Sequence, residues 1–244
     1  FSFFIHRLNS TTHLDITERK RVEEALQRQI LALTQPLHES ESATVQFTDL
    51  FNLEDVQQIQ NAFADATNVA SIITKPDGSP ITKPSNFCRL CKDIIRKTEK
   101  GLSNCFYSDA IVGRYNPVGP IVQPCISGGL WDAGASITVG GKHIASWLIG
   151  QVRNEELDEA CLLQYATKIE ADSSEFRAAL AEVPVMPRER FEKVSHALFL
   201  LANELSTKAY QNIQQARFIA ERHQTEVALR ESEERFRSIF DHAP

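Results

Sequence analysis

Long apolar runs are missing from this sequence. No stretch approaches the roughly 20 apolar residues that a membrane-spanning helix needs. Basic runs are equally short, since none exceeds Arg19-Lys20-Arg21 and the net charge is −6. Because a phosphate backbone is bound by a basic face, these two absences argue against a membrane span and against nucleic acid as a partner.

The N-terminal residues also lack the marks of a secretory signal. The segment Phe1-Ser2-Phe3-Phe4-Ile5 is too short for a signal-peptide core, and it has no leading positive region, no cleavage site and no initiator Met. We therefore expect the sequence to be a segment of a longer protein. Cysteines number five, and an odd number without a secretory signal indicates a reducing compartment, so we expect a cytoplasmic location.

Short apolar runs bounded by turn residues predict strands. Val69–Thr74 is β-branched, and a turn separates it from Ile81, which is expected to pair back. Three further runs are punctuated by glycine, and Gly140-Gly141 between the last two predicts a hairpin. About five antiparallel strands with inserted helices indicate an α+β fold. The three runs are Ile121–Ile126, Leu130–Val139 and His143–Val152.

Helices are predicted on both sides of these strands. An apolar stripe that starts at Val22 predicts a helix that Pro36 ends. Asn52 is a predicted cap for a second helix. Residues 88–114 are predicted to form two short helices that break near Gly101, with Asn86 and Thr98 as candidate caps.

The C-terminal part of the sequence contains neither Gly nor Pro from Arg188 to about Phe240. This uninterrupted segment is longer than most helices of globular proteins. It predicts a coiled coil or two stacked helices, and its apolar pattern favours a homodimer.

Four cysteines lie close together in the sequence with the spacing C-x2-C-x13-C-x19-C: Cys88, Cys91, Cys105 and Cys125. The first two, at i and i+3 of a predicted helix, share one face and can chelate an ion. Four thiolates would suit zinc or an iron–sulfur centre. Three interpretations remain open: a shared metal or redox site, the lining of a ligand pocket without metal, and inert packing of buried thiols. Cys91, Cys105 and Cys125 are the better candidates for a shared site, with Cys88 as a fourth member.

Several polar and aromatic residues near the cysteines are candidates for ligand contacts, because a small polar ligand needs a few fixed hydrogen-bond partners in an apolar cavity. Asp132 lies within an apolar run, where a buried carboxylate needs a partner. Asn86 also suits a helix cap, and Trp131 also suits the core. The candidates are Asn86, Phe87, Ser108, Asp109, Trp131 and Asp132.

Catalytic arrangements are not evident in the sequence. We find no Ser-His-Asp or Cys-His pattern that argues for nucleophilic catalysis. His196 is followed by Ala197-Leu198-Phe199 rather than by an acidic and a basic residue, so it does not suit a phosphoacceptor site. We predict no catalytic residue and no enzymatic activity for this chain.

Four motifs in the middle of the chain carry a family resemblance. They are Leu53-Glu54-Asp55-Val56, Pro84-Ser85-Asn86-Phe87-Cys88-x-Leu90-Cys91, Gly128-Gly129-Leu130-Trp131-Asp132 after Cys125, and Gly141-Lys142-His143-Ile144-Ala145 with Leu148-Ile149-Gly150-Gln151-Val152. From about Phe47 to Leu205 the chain resembles the PocR sensory domain. The resemblance implies a PAS-like antiparallel sheet and a small ligand such as a diol. This chain has Cys125-Ile126-Ser127-Gly128-Gly129-Leu130 where the family usually has Cys-His-Ala-Gly-Leu, so the family's ligand does not transfer directly.

The flanking segments resemble the junctions of PAS domains. Asp15–Leu26 is similar to the exit of a PAS domain into a signalling helix, and Leu229–Asp241 is similar to the entry helix of another. The implied organisation is a PAS remnant at 1–16, a signalling helix and linker at 17–46, a PocR-like domain at 47–187, a signalling helix at 188–230 and the start of a PAS domain at 231–244.

Together these resemblances imply the sensory input module of a histidine kinase. The module would bind a small molecule and pass the signal through its terminal helices to adjacent PAS and kinase domains. The alternative is a redox sensor that uses zinc or an iron–sulfur centre held by the cysteines.

Overall fold

The computed structural model describes residues 46–153 and 158–241, with side chains described up to residue 237. The predicted PAS remnant and the N-terminal signalling helix lie outside the described residues. The chain divides into two compact units. One unit is Phe51–Tyr210, and of the other the structure describes residues 46–50 and 211–241.

The larger unit contains an antiparallel sheet of four strands in the order β1-β4-β3-β2. The strands are β1 (Ala70–Thr74), β2 (Ile121–Pro124), β3 (Trp131–Val139) and β4 (Lys142–Val152). The predicted hairpin joins β3 to β4, and Gly140 and Gly141 both have positive φ angles, of 57° and 82°. This geometry suits glycine and explains why two glycines stand between the strands.

The described residues therefore contain four strands, whereas the sequence predicted about five. The segment around Ile81 does turn back on β1, and the Ile81 amide donates a hydrogen bond to the Ile73 carbonyl oxygen at 2.8 Å. Pairing is limited to isolated bridges, such as Thr74 with Pro80 and Ser71 with Ser85. Pro80 and Pro84 lack an amide hydrogen, so this segment cannot extend a regular ladder.

Six α-helices are described: α1 (Phe47–Leu50), α2 (Leu53–Thr67), α3 (Glu99–Val112), α4 (Glu159–Lys168), α5 (Ser173–Glu182) and α6 (Arg188–Asp241). Asn52 caps α2 as predicted, because its side chain accepts from the Glu54 amide. The uninterrupted C-terminal segment forms one helix of 54 residues. Within the described ranges, no helix has the length and apolar composition needed to cross a bilayer.

The segment between β1 and α3 departs from the prediction of two short α-helices. A π-helical turn, Leu90–Ile94, leads into a 3₁₀ turn, Ile95–Lys97, and α3 then begins. The break lies at Thr98, which is extended and caps α3, rather than at Gly101. Gly101 lies inside α3. Glycine is needed there because a β-carbon would approach the Ile95 carbonyl oxygen to 2.1 Å. Asn86 caps no helix and has a left-handed φ of 53°.

Helices pack on both faces of the sheet. Phe63 of α2 contacts Trp147 of β4 edge-on, with ring centroids 5.8 Å apart. Leu148, the next residue of β4, packs with Val112 of α3 and Ile72 of β1. Because successive side chains of a strand point to opposite faces, α2 and α3 lie on opposite sides of the sheet.

A glycine in β3 allows α3 to approach the sheet closely. A β-carbon at Gly134 would lie 2.5 Å from the Val112 carbonyl oxygen and 2.7 Å from a Leu148 methyl group. The end of α3 therefore rests directly on the strand backbone, which fixes the distance between α3 and the sheet.

We predict that Gly134→Ala lowers the free energy of unfolding by about 1–3 kcal/mol, because a methyl group there forces α3 away from the sheet. Gly119→Ala is the matched control, since no heavy atom lies within 4 Å of the added β-carbon. Urea denaturation of both variants measures the difference. Equal stabilities would contradict the close packing.

Candidate functional site

A cavity lies between the sheet and the elements that precede and include α3. Its volume is about 40 Å³, room for about three water-sized groups. Most candidate residues line it, and they come from four different segments of the chain. The lining candidates are Phe87, Cys91, Cys105, Ser108, Asp109, Cys125 and Asp132. We call this space the central cavity.

Three candidates lie elsewhere. Asn86 and Cys88 are not among the residues that line the central cavity. Trp131 is 7% exposed, and the Arg188 guanidinium lies 5.2 Å from its ring centre. Since Trp131 precedes Asp132 in β3, the alternation of side chains directs it away from the cavity.

An ion pair between Arg96 and Asp109 forms one wall of the central cavity. The Arg96 Nη2 atom donates to the Asp109 Oδ2 atom at 2.8 Å, and the two side chains are only 15% and 11% exposed. The Arg96 guanidinium also lies 5.1 Å from the centre of the Phe87 ring. Burial raises the pKa of Asp109, and the charge of Arg96 opposes that shift. The arginine therefore holds a buried carboxylate in place.

Sequence reasoning missed Arg96. A single arginine after Ile94-Ile95 resembles an ordinary exposed residue of an amphipathic helix. No signal in the sequence singled out this pair, because Asp93 and Glu99 are both nearer to Arg96 along the chain than its partner Asp109. The ion pair forms because the 3₁₀ turn places Arg96 beside Asp109 of α3.

Asp132 contributes a second carboxyl group to the cavity. Some surface of the residue is exposed, but the carboxyl group is buried, and its pKa is raised to about 7. Burial is the largest cause of this shift, and the charge of Asp109 adds to it. The Gln151 amide, which donates to Oδ1 at 3.0 Å, acts in the opposite direction. A β-carbon at Gly150 would lie only 1.9 Å from the same oxygen. Glycine at position 150 therefore leaves the space that the carboxyl group occupies.

A β-bulge holds Asp132 in this position. Trp131 pairs with Val152 and Asp132 with Gly150, so Gln151 has no partner in β3. Gln151 has a left-handed φ of 59°, which is strained for a residue other than glycine. Its side-chain oxygen accepts the Cys88 amide at 2.9 Å. Two hydrogen bonds thus compensate for the strain, and bulges of this kind re-aim side chains beside functional sites. Nothing in the sequence indicates this conformation.

These residues lie within a recognisable family. A family model described as the sensory domain found in PocR matches residues 49–210. The chain belongs to the PocR sensory domain family. The matched region contains every residue that lines the central cavity. A search of the curated proteins and a search of the solved structures found no significant match.

In this PocR domain, the residue after Cys125 does not reach the cavity. Ile126 is 51% exposed and is absent from the lining, while its amide donates to the Ser108 hydroxyl at 3.1 Å. The loop is closed instead by the Gly128 amide, which donates to the Cys125 sulfur at 3.1 Å. The side chain of Ile126, which follows Cys125, therefore does not contribute to the cavity wall.

The four clustered cysteines do come together. Cys91 and Cys105 belong to a hydrophobic cluster that also includes Leu90, Leu162 and Phe176, and Cys88 and Cys125 pack against it. The Cys105 sulfur lies 3.2 Å from the Ser127 hydroxyl, which in turn lies 2.8 Å from the Tyr165 hydroxyl.

Proximity alone does not create a metal centre. Across the described part of the chain, no three Cys, His, Asp or Glu side chains are arranged to hold a metal ion. Burial raises the pKa values of Cys105 and Cys125, which disfavours the thiolates that zinc or iron would require. The shared zinc or iron–sulfur centre stays a prediction without a matching geometry.

The raised pKa of Asp132 predicts a pH dependence of stability. The folded protein binds this proton more tightly than the unfolded chain, whose Asp has an ordinary pKa of 3.8. The resulting stabilisation is complete below pH 4 and is lost as the pH rises through about 7, on the order of a few kcal/mol. Asp132→Asn should remove this loss.

The measurement is urea denaturation of both proteins at several pH values between 4 and 8. Asp65→Asn, an exposed position on α2, is the control and should keep the wild-type dependence. Parallel curves for the wild type and Asp132→Asn would contradict a buried, proton-binding carboxyl group.

Proposed function

We propose that this PocR domain is a sensory input module that binds a small hydroxylated molecule, such as a diol, in the central cavity. The observation that supports this most directly is the composition of the cavity wall. The Ser108 hydroxyl, the Asp132 carboxyl group and the Arg96–Asp109 ion pair face one small space among apolar side chains. A few fixed polar groups in an apolar enclosure are typical of small-molecule sites.

The charges of the cavity favour an uncharged ligand. Of the described residues that line the central cavity, Arg96 alone carries a guanidinium group, and this group is paired with Asp109. The Asp132 carboxyl group, with its pKa near 7, is available both as a proton donor and as an acceptor. An anion would face two carboxyl groups, whereas hydroxyl groups can both donate to and accept from them. The volume of about 40 Å³ restricts the ligand to a few non-hydrogen atoms.

We predict that 1,2-propanediol stabilises the protein and that Ser108→Thr abolishes this effect. The added methyl group fills the cavity while the hydroxyl group and the fold are kept. At a concentration about 100 times Kd, the ligand should add about 2.7 kcal/mol to the free energy of unfolding. Ser103→Thr, at an exposed position on the same helix, should respond like the wild type.

Thermal unfolding with increasing diol measures the effect. If neither 1,2-propanediol nor 1,2-ethanediol shifts the wild-type Tm, the diol assignment is wrong. If Ser108→Thr responds normally, the ligand binds elsewhere.

A direct covalent and hydrogen-bonded route connects the cavity with the start of α6. Gln151 of the bulge is followed by Val152 and Arg153, where β4 ends. The Arg153 amide donates to the Pro184 carbonyl oxygen, and its carbonyl oxygen accepts the Met186 amide, both at 2.8 Å. Two residues later, Arg188 begins α6. A ligand that alters the bulge therefore acts on the segment that positions this helix.

A second contact joins the same two places. Trp131, adjacent to Asp132, lies beneath the guanidinium of Arg188, the first residue of α6. The Trp131 contact reaches the first residue of α6, and the Arg153 hydrogen bonds hold the segment that precedes it. We therefore propose the first turn of α6 as the output element of the domain. A ligand shifts such an element only by its different affinity for the two conformations.

We predict that Arg153→Ala separates binding from transmission. Its side chain donates to the carbonyl oxygens of Val183 and Ala181 at 3.1 and 3.3 Å and does not line the central cavity. Affinity for 1,2-propanediol should therefore stay within about twofold, or about 0.4 kcal/mol. Ligand-dependent hydrogen exchange in residues 183–195 should be lost.

Hydrogen-exchange mass spectrometry with and without the diol provides the measurement. Arg177→Ala, at an exposed position on α5, should behave like the wild type. An unchanged exchange response in Arg153→Ala would contradict transmission through the Arg153 side chain.

The further organisation is proposed from the resemblances of the flanking segments. We infer that α6 forms a coiled coil in a homodimer and leads into a PAS domain at 231–244, and that the parent protein is a cytoplasmic histidine kinase. The length of α6, 54 residues, supports a signalling helix. As a sensory domain the described part has a recognition role, and catalysis belongs to the parent.

A further inference from the structure

Cys88 and Cys91 form a thiol pair beside the central cavity. We propose that this pair is a reversible dithiol–disulfide site that a peroxide oxidises. The site is separate from the ligand proposal above, since it concerns covalent chemistry of the protein itself and requires no bound diol.

The local backbone brings the two side chains together. Cys88 immediately precedes the turn, and the Lys92 amide donates to the Cys88 carbonyl oxygen at 3.0 Å, which closes one helical turn. Residues three apart on such a turn are neighbours on one face. Both side chains pack in one hydrophobic cluster, of which Cys91 is a buried member.

The two cysteines differ in the way that a nucleophilic thiol differs from a resolving thiol. Cys88 is partly exposed, whereas Cys91 is buried. An oxidant can therefore reach Cys88, and Cys91 can resolve the oxidised Cys88 from its protected position on the same turn.

The other cysteines have different surroundings. Cys105 contacts Ser127, and Cys125 accepts from the Gly128 amide. Burial raises the pKa values of both. Cys161 is exposed on α4 and does not line the central cavity. Among the described cysteines, Cys88 and Cys91 are the pair that shares one helical turn, with one member open to an oxidant and the other beside it for disulfide formation.

The chemistry balances with one peroxide molecule. The Cys88 thiolate attacks an oxygen of hydrogen peroxide, the O–O bond breaks, and with one proton a sulfenic acid and water are formed. The Cys91 sulfur then attacks the Cys88 sulfur, the S–O bond breaks, and the hydroxyl leaves as a second water. Two thiols are oxidised by two electrons, and the peroxide is reduced.

Oxidation would change the wall of the cavity. Cys91 lines the central cavity and lies in the π-helical turn, an irregular element common at functional sites. A bond to Cys88 would draw the Cys91 sulfur toward the Cys88 side of the turn. The Cys88 amide is also the donor to Gln151 in the strained bulge, so the disulfide would form next to the route that leads to α6.

The test uses the full chain with Cys161→Ser, which removes the exposed thiol. The reduced protein is treated anaerobically with equimolar hydrogen peroxide, and its thiols are titrated. We expect the loss of two thiols and of the mass of two hydrogen atoms, both restored by dithiothreitol. Trypsin cleaves after Arg89, so the disulfide should appear as two linked peptides, one containing Cys88 and one containing Cys91.

Two single variants in the same background distinguish the roles. Cys91→Ser should accumulate a sulfenic acid at Cys88, which dimedone traps, and Cys88→Ser should consume peroxide at least tenfold more slowly than the parent protein. The proposal is overturned if Cys91→Ser gives no dimedone adduct at Cys88. It is equally overturned if the main disulfide includes Cys105 or Cys125, or if no disulfide forms.

Discussion

The hydrogen bond between the Gln151 amide and the Asp132 carboxyl group is the contact on which the rest of the site depends. It holds a left-handed residue inside a strand, and it fixes a carboxyl group in a place where water cannot fully solvate it. Burying a carboxyl group is unfavourable unless it is hydrogen-bonded or neutral. Both conditions apply to Asp132. The Gln151 amide donates one hydrogen bond to its carboxyl group, and its pKa of about 7 allows the carboxyl group to be protonated near neutral pH. The same strained residue binds the segment that carries the cysteines.

The cavity is consequently built from two opposing surfaces with different properties. The sheet side is rigid, because β3 and β4 are buried along most of their length. The opposite side consists of a π-helical turn, a 3₁₀ turn and α3 from Cys105 onward. Irregular turns have fewer repeating hydrogen bonds than an α-helix, so they rearrange at lower cost. A ligand or an oxidant would therefore be expected to move the turn against a fixed sheet.

Much of this arrangement could be predicted from the sequence. The Gly140-Gly141 hairpin, the Asn52 cap and the long helix from Arg188 each have a local cause, and each was predicted from it. The cysteine spacing left open whether these residues approach one another. Arg96 and Gln151 were missed, because an ion pair across two helices and a left-handed φ inside a strand arise only from tertiary packing. The prediction of a fifth strand near Ile81 was wrong, because Pro80 and Pro84 limit the pairing of this segment to isolated bridges.

Gly150 has a consequence for how ligand choice can vary among related domains. Because the Asp132 carboxyl group occupies the space of a β-carbon at position 150, no other residue fits there while the carboxyl group stays. Variation in the shape of the cavity must then come from the helical wall, where Cys105 and Ser108 of α3 line the space. In the proposed site, the sheet fixes the Asp132 carboxyl group, whereas α3 sets the size of the ligand and adds polar groups through Ser108 and Asp109. Under this proposal, new specificities can evolve, or be engineered, on α3 without disturbing β4.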